Sequence, residues 1–186
     1  MLRFTDEHHL FRSTVREVVQ NEIDVHADAW EAAGDFPAHE LFAKFGELGL
    51  LGVEYDERWG GGGADHTYTM IFGEGIGRAA SLGVAMALAV QTDMATPALH
   101  RYGTDELREQ YLRPAITGHH VAAIAVSEPD AGSDVAGLRT RAVRDGDEWV
   151  INGTKLWITS GTQADWVCLL ARTSDEGGSR GMSQII

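Results

Sequence analysis

The stretch IAVSEPDAGSD, residues 124–134, decides how this chain is read. Residues 121–126 are apolar, with β-branched Val121, Ile124 and Val126, which predicts a strand, and the run stops at Glu128, Pro129, Ala131 and Gly132. Proline fixes φ and lacks an amide donor, while glycine admits close backbone approach, so the strand has to end in a tight turn. Ser127 puts a hydroxyl at the strand end, and Ala131, Gly132, Ser133 and Asp134 offer small side chains and N–H groups of the kind that collect around phosphate oxygens. Further along, residues 155–160 alternate as a strand does and set Trp157, Ile158 and Thr159 side by side, a surface suited to a flat polar ring. Each piece alone has an ordinary structural reading, because small-residue turns close many hairpins and a Trp in a strand is usually core.

Around these stretches the period is that of strands. Asp145-Gly146 and Asn152-Gly153 are two-residue turn signals and predict two hairpins, the first pairing residues 140–144 with 148–151. Residues 166–172 supply another strand, residues 173–180 a polar loop, and residues 181–186 the beginning of a further strand. Upstream the period is helical. Thr5 caps a long helix with an apolar stripe of Phe11, Val15, Val19 and Ile23. A short helix starts at Phe36 and Pro37 and ends near Gly49; Asp65 caps a third, and Ser81 caps a largely apolar one running to Met94. Pro97 kinks or restarts that helix, Gly103 ends it, and Thr104 caps the next, with Pro114 beyond it.

Several other patterns carry less. Gly73, Gly75 and Gly77 imitate a dinucleotide-binding fingerprint, but the third glycine comes one residue early and no strand precedes them, so close helix packing is the better explanation. The eight histidines form no HExxH pattern, and the adjacent pairs diverge on either a helix or a strand, so no metal site is expected. Ser127 with His120 lacks a nucleophile-elbow context, which disfavours a hydrolase. Glu128 and Asp134 are read as holding the shape of the turn, and Asp93 as a satisfied polar group on an apolar helix.

A net charge of −13 disfavours nucleic acid as a partner. Cys168, the only cysteine, lies in an apolar run and is expected to be a buried, inert thiol. The first residues lack the pattern of a signal peptide, and the longest mainly apolar run, residues 82–90, is too short to span a bilayer. No membrane association and a cytoplasmic location are therefore expected.

Taken together, SEPDAGSD (residues 127–134) followed by NGTKLWIT (residues 152–159) resembles the acyl-CoA dehydrogenase family. The likeness extends from Thr5 through EYDERWGG (residues 54–61) and LHRYGTDELREQY (residues 99–111). The resemblance implies an α+β chain: an N-terminal all-α helical domain over residues 1–119, then an incomplete middle β-domain over residues 120–186, built as a partial antiparallel barrel or sandwich. It implies FAD as cofactor, with Ile124, Ala125, Val126 and Ser127 along the flavin ring, Gly132 and Ser133 toward the pyrophosphate, and Trp157, Ile158 and Thr159 against the flavin. Ser133 and Asp93 are the implied substrate contacts. The family base is a carboxylate of a C-terminal helical bundle, and no residue here matches it. The implied reaction is α,β-dehydrogenation of an acyl-CoA thioester to the trans-2-enoyl form, with an electron-transfer flavoprotein as partner and a homo-oligomer as the assembly. A related acyl-CoA oxidase or monooxygenase, or a non-catalytic or truncated subunit of the same fold, is the alternative.

Overall fold

The computed structural model describes residues 3–186, which divide into a helical unit ending at Val121 and a sheet unit, Ala122–Ile186. In the helical unit, Thr5 caps α1 (Asp6–Glu22) through a capping box closed by His8, whose Nδ1 lies 3.0 Å from the Thr5 amide. The predicted stripe holds: Val15, Val19 and Ile23 are buried, and Phe11 packs against the same core. A short helix, α2 (Ala27–Ala33), follows that the pattern did not announce; it buries Ala27 fully and packs the partly buried Trp30 against the core. Helix α3 (Ala38–Glu47) brings in Leu41, Phe42 and Phe45.

Asp65 caps α4 (His66–Ile76), accepting from the Thr67 amide. This helix lies along α1, and a Cβ on Gly75 would stand 2.3 Å from Val15 Cγ1. Of the three glycines in the false fingerprint, Gly75 therefore serves helix contact, whereas a Cβ on Gly73 would meet nothing within 4 Å.

The apolar helix after Ser81 is longer than residues 82–90. It continues as α5 (Leu82–Ala89), a π-helical segment (Val90–Ala95) and α6 (Thr96–Tyr102), long and apolar enough to cross a membrane by length and composition alone. Val84, Leu88, Gln91 and Thr96 along it are buried in the helical unit, the pattern of a core helix. Pro97 fits the π segment: it has no N–H, and the carbonyl five residues back, Thr92 O, is taken by a donor from elsewhere. Tyr55 donates its hydroxyl to Thr92 O at 2.6 Å, and Thr96 donates Oγ1 to Gln91 O at 2.5 Å. The same device recurs in the last helix. Pro114 does not follow that helix but lies inside it, because α7 (Asp105–Leu107) runs through a π segment (Arg108–Leu112) into α8 (Arg113–Ile116).

In the sheet unit, β1 (Ala122–Ala125) pairs in parallel with β4 (Trp166–Arg172), which also carries β5 (Met182–Ile185) antiparallel. The predicted hairpin forms from β2 (Arg141–Asp145) and β3 (Glu148–Asn152). The order is β1-β4-β2-β3, and β2 meets β4 in parallel at Arg141 and Arg172. The sheet is thus mixed rather than antiparallel throughout, and the barrel is not closed. The parallel pairing arises because the bend after β1 and the long excursion through β2 and β3 return the chain in its original direction.

Asn152-Gly153 does not make the second hairpin. A Cβ on Gly153 would stand 2.3 Å from Thr140 Oγ1, so the glycine lets the chain pass over Thr140 instead of turning back. Cys168 lies in β4, buried, and its burial pushes the thiol pKa up, which leaves it inert.

Candidate functional site

Ile124 and Ala125 are the last residues of β1, and Val126 and Ser127 continue beyond the strand end. The turn itself is closed by Glu128 and Ala131: Glu128 N donates to Ala131 O at 2.8 Å and Ala131 N to Glu128 O at 3.2 Å, with Pro129 and Asp130 at the tip. Gly132 and Ser133 follow, exposed. Among the described residues nothing accepts from the N–H groups of Gly132, Ser133 or Asp134, so three amides remain available to an anion.

The stretch predicted as a second strand, residues 155–160, is not one. Trp157 and Ser160 both take left-handed backbone, with φ of 59° and 60°, and the Gly161 and Gln163 amides close turns onto Ile158 O and Ser160 O. Alternation was the wrong period because no neighbouring strand is offered here; the Leu156 amide donates instead to Ser127 O at 2.9 Å. That bond ties the two stretches together. The indole of Trp157 is 90% exposed, so it is a ledge and not a core residue. Ile158 and Thr159 are half-buried beside it, and Ser160 Oγ is buried without a hydrogen-bond partner.

Sequence reasoning missed what holds this arrangement. Lys155 reaches beneath the ledge and donates to Val126 O at 2.8 Å and Glu128 Oε1 at 2.9 Å. Glu128 also accepts from the Arg139 amide at 2.6 Å and the Thr140 amide at 2.9 Å. Burial works to raise its pKa, but the donors on Thr140, Arg139 and Lys155 outweigh it and hold the carboxyl at about 2. Glu128 thus shapes the bend, as expected, through partners outside the turn. The signal in the sequence was the lysine two residues after Gly153, visible but not assignable to Glu128 without the fold.

Asp93 lies in the helical unit on the π segment before Pro97, accepting from Thr92 Oγ1 at 3.0 Å. Partial burial raises its pKa. Nearby, the His66 hydrogen bond to Glu54 at 2.8 Å lowers the Glu54 carboxyl and raises the imidazole. No group of His, Cys, Asp and Glu able to hold a metal occurs among the described residues.

Comparison with known families gives two adjoining matches: "Acyl-CoA dehydrogenase, N-terminal domain" over residues 5–119 and "Acyl-CoA dehydrogenase, middle domain" over residues 123–186. This chain belongs to the acyl-CoA dehydrogenase family. The long-chain specific acyl-CoA dehydrogenase of rat mitochondria is 38% identical over 176 residues, covering 95% of this chain and 40% of the relative. The crystal structure of an acyl-CoA dehydrogenase from Geobacillus kaustophilus superposes with a TM-score of 0.90 at 36% identity, over 98% of this chain and 48% of the other. A glutaryl-coenzyme A dehydrogenase in complex with glutaryl-CoA superposes with a TM-score of 0.91 at 32% identity, over 99% and 47%. The chain spans less than half the length of each of these acyl-CoA dehydrogenases.

Proposed function

We propose that these residues form the flavin-ring seat of an FAD-dependent acyl-CoA dehydrogenase, which converts an acyl-CoA thioester to its trans-2-enoyl form and passes electrons to an electron-transfer flavoprotein. The observation that carries the reading is the Leu156–Ser127 hydrogen bond, which joins the bend after β1 to the Trp157 ledge. The residues present fit the cofactor. An exposed indole on left-handed backbone offers a flat apolar face, and strain of that kind is retained where a ligand uses it. The free amides of residues 132–134 suit a pyrophosphate, and the unpartnered Ser160 hydroxyl lies in the same loop as the ledge.

A bound flavin would supply the hydride acceptor for the β-hydrogen of the acyl chain. Ile124, Ala125, Val126 and Ser127 line one edge of the seat; Trp157, Ile158 and Thr159 support the ring and exclude water. Gly132 and Ser133 direct amides to the phosphates. Ser133 and Asp93 are the proposed substrate contacts, Asp93 as a hydrogen-bonded group of raised pKa. Proton abstraction is assigned to none of the 186 residues, and the chain by itself is proposed not to turn over substrate. Homo-oligomeric assembly belongs to the same proposal.

Titrating the chain with FAD while recording the flavin spectrum tests this. A saturable perturbation that Trp157→Ala removes is expected, and a flavin spectrum indifferent to the protein overturns the seat. Bleaching of bound flavin by acyl-CoA would overturn the inactivity.

A further inference from the structure

The ion pair beneath the ledge is the strongest feature that the proposed chemistry leaves unused. Its side chains are 5% exposed at Glu128 and 10% at Lys155. Buried ion pairs are weak sources of stability, because desolvating two charges offsets most of their attraction and an apolar pair of similar volume often does as well. What this pair is bonded to suggests a use other than stability. Lys155 Nζ lies 2.8 Å from Val126 O, at the end of the β1 run, and 2.9 Å from Glu128 Oε1 in the bend. The carboxylate in turn takes the Arg139 and Thr140 amides that lead into β2. One lysine is thereby coupled to the strand exit, the bend and the approach to the next strand.

The loop that carries Trp157 turns on itself through the Gly161 and Gln163 amides. It belongs to no ladder, and the main-chain bond joining it to the β1 exit is Leu156 N to Ser127 O. The next residue is held left-handed, a conformation that a β-carbon resists at about 1–2 kcal/mol. A segment under that strain relaxes unless an adjacent contact determines its position. Lys155, one residue before Leu156, is that contact. Gly153 makes the approach possible by passing over Thr140, whose own amide is bound to Glu128.

We propose that Glu128 and Lys155 are positioning residues: the pair sets the distance between the SEPDAGSD bend and the Trp157 ledge, and so the width of the flavin seat. The inference rests on the flavin reading for its use, but its geometry is testable without flavin. Amide hydrogen exchange in the 186-residue chain reads the clamp directly. In Lys155→Met the Leu156 amide exchanges at least about ten-fold faster, while the β4 amides of Cys168 and Leu169 stay within about two-fold of the parent. FAD affinity falls about ten-fold in the same variant, and Lys155→Arg, which keeps the charge, recovers part of both effects.

Unchanged Leu156 protection in Lys155→Met overturns the proposal. So does equal acceleration of the Leu156 and β4 amides, which marks a general stabilising role, and so does lost protection with unaltered FAD affinity. If Lys155→Met fails to fold, Lys155→Gln, which keeps a donor for Val126 O without the charge, is read by the same criteria. A parent chain that leaves the FAD spectrum unperturbed removes the flavin reading, and the exchange data then decide the clamp alone.

Discussion

Replacing Trp157 by Asn should make the sheet unit more stable and the flavin seat worse. The indole is 90% exposed, so its removal gives up little packing. Its backbone sits at φ 59°, where an ordinary L-residue carries about 1–2 kcal/mol of strain and Asn much less. The expected gain is about 1 kcal/mol in the unfolding free energy of the sheet unit. Gly removes the same strain but adds about 0.5–1 kcal/mol of chain entropy to the unfolded state, so Trp157→Gly should fall close to the parent. Because the chain has two units, a single melting curve mixes their transitions. Native-state exchange of the β4 amides isolates the sheet unit: 1 kcal/mol corresponds to about five-fold slower exchange where exchange requires unfolding of that unit. FAD titration supplies the opposing measurement. Losing the aromatic face removes about 1 kcal/mol or more of ring contact, hence about five-fold or more in affinity. Faster exchange of the β4 amides in Trp157→Asn would refute the strain argument, and unaltered FAD affinity would refute the assignment of the ledge.

Two further outcomes follow from the geometry. Glu128 is held at about 2 against an ordinary value of 4.5, so between those values the unfolded chain binds a proton that the folded chain does not. Its contribution, about 3 kcal/mol, is complete above pH 4.5 and disappears as pH falls toward 2. Denaturant titrations across that range should show the loss in the parent and a flatter profile in Glu128→Gln. In α4, Gly75→Ala should cost about 1–3 kcal/mol because its Cβ would stand 2.3 Å from Val15 Cγ1, whereas Gly73→Ala, with no neighbour within 4 Å, should stabilise by about 0.5–1 kcal/mol. Urea midpoints for the two variants check the pair, and equal effects would dismiss helix contact as the reason for the glycines.

The helices were legible because their signals are local. Thr5, Asp65, Ser81 and Thr104 each accept from an amide within the next three residues, and a cap is a property of a few consecutive positions. The β2–β3 hairpin was legible for the same reason, its turn being encoded at Asp145-Gly146. Helix α2 escaped notice because it fully buries only Ala27 and shows almost no apolar period. The passage of the chain through Pro97 to Gly103 was legible, but the helical continuation through Pro114 escaped notice, because a proline ends a helix unless the lost hydrogen bond is taken up elsewhere; at Pro97 a hydroxyl that helps comes from Tyr55, far away in sequence.

What the sequence determined by itself is most of the helices, the β2–β3 hairpin and the turn after β1, since caps, prolines and small-residue runs act over a few positions; that the two stretches belong together was implied by the family resemblance. What only tertiary structure decided is how those stretches meet. The alternation of residues 155–160 was consistent with a strand, and no ladder was available to make it one. Lys155 found Glu128, Leu156 found Ser127, and Trp157 was left exposed in a conformation that its own β-carbon disfavours. Propensity for a strand is worth about 1 kcal/mol at most, and a buried charge with several donors outweighs it.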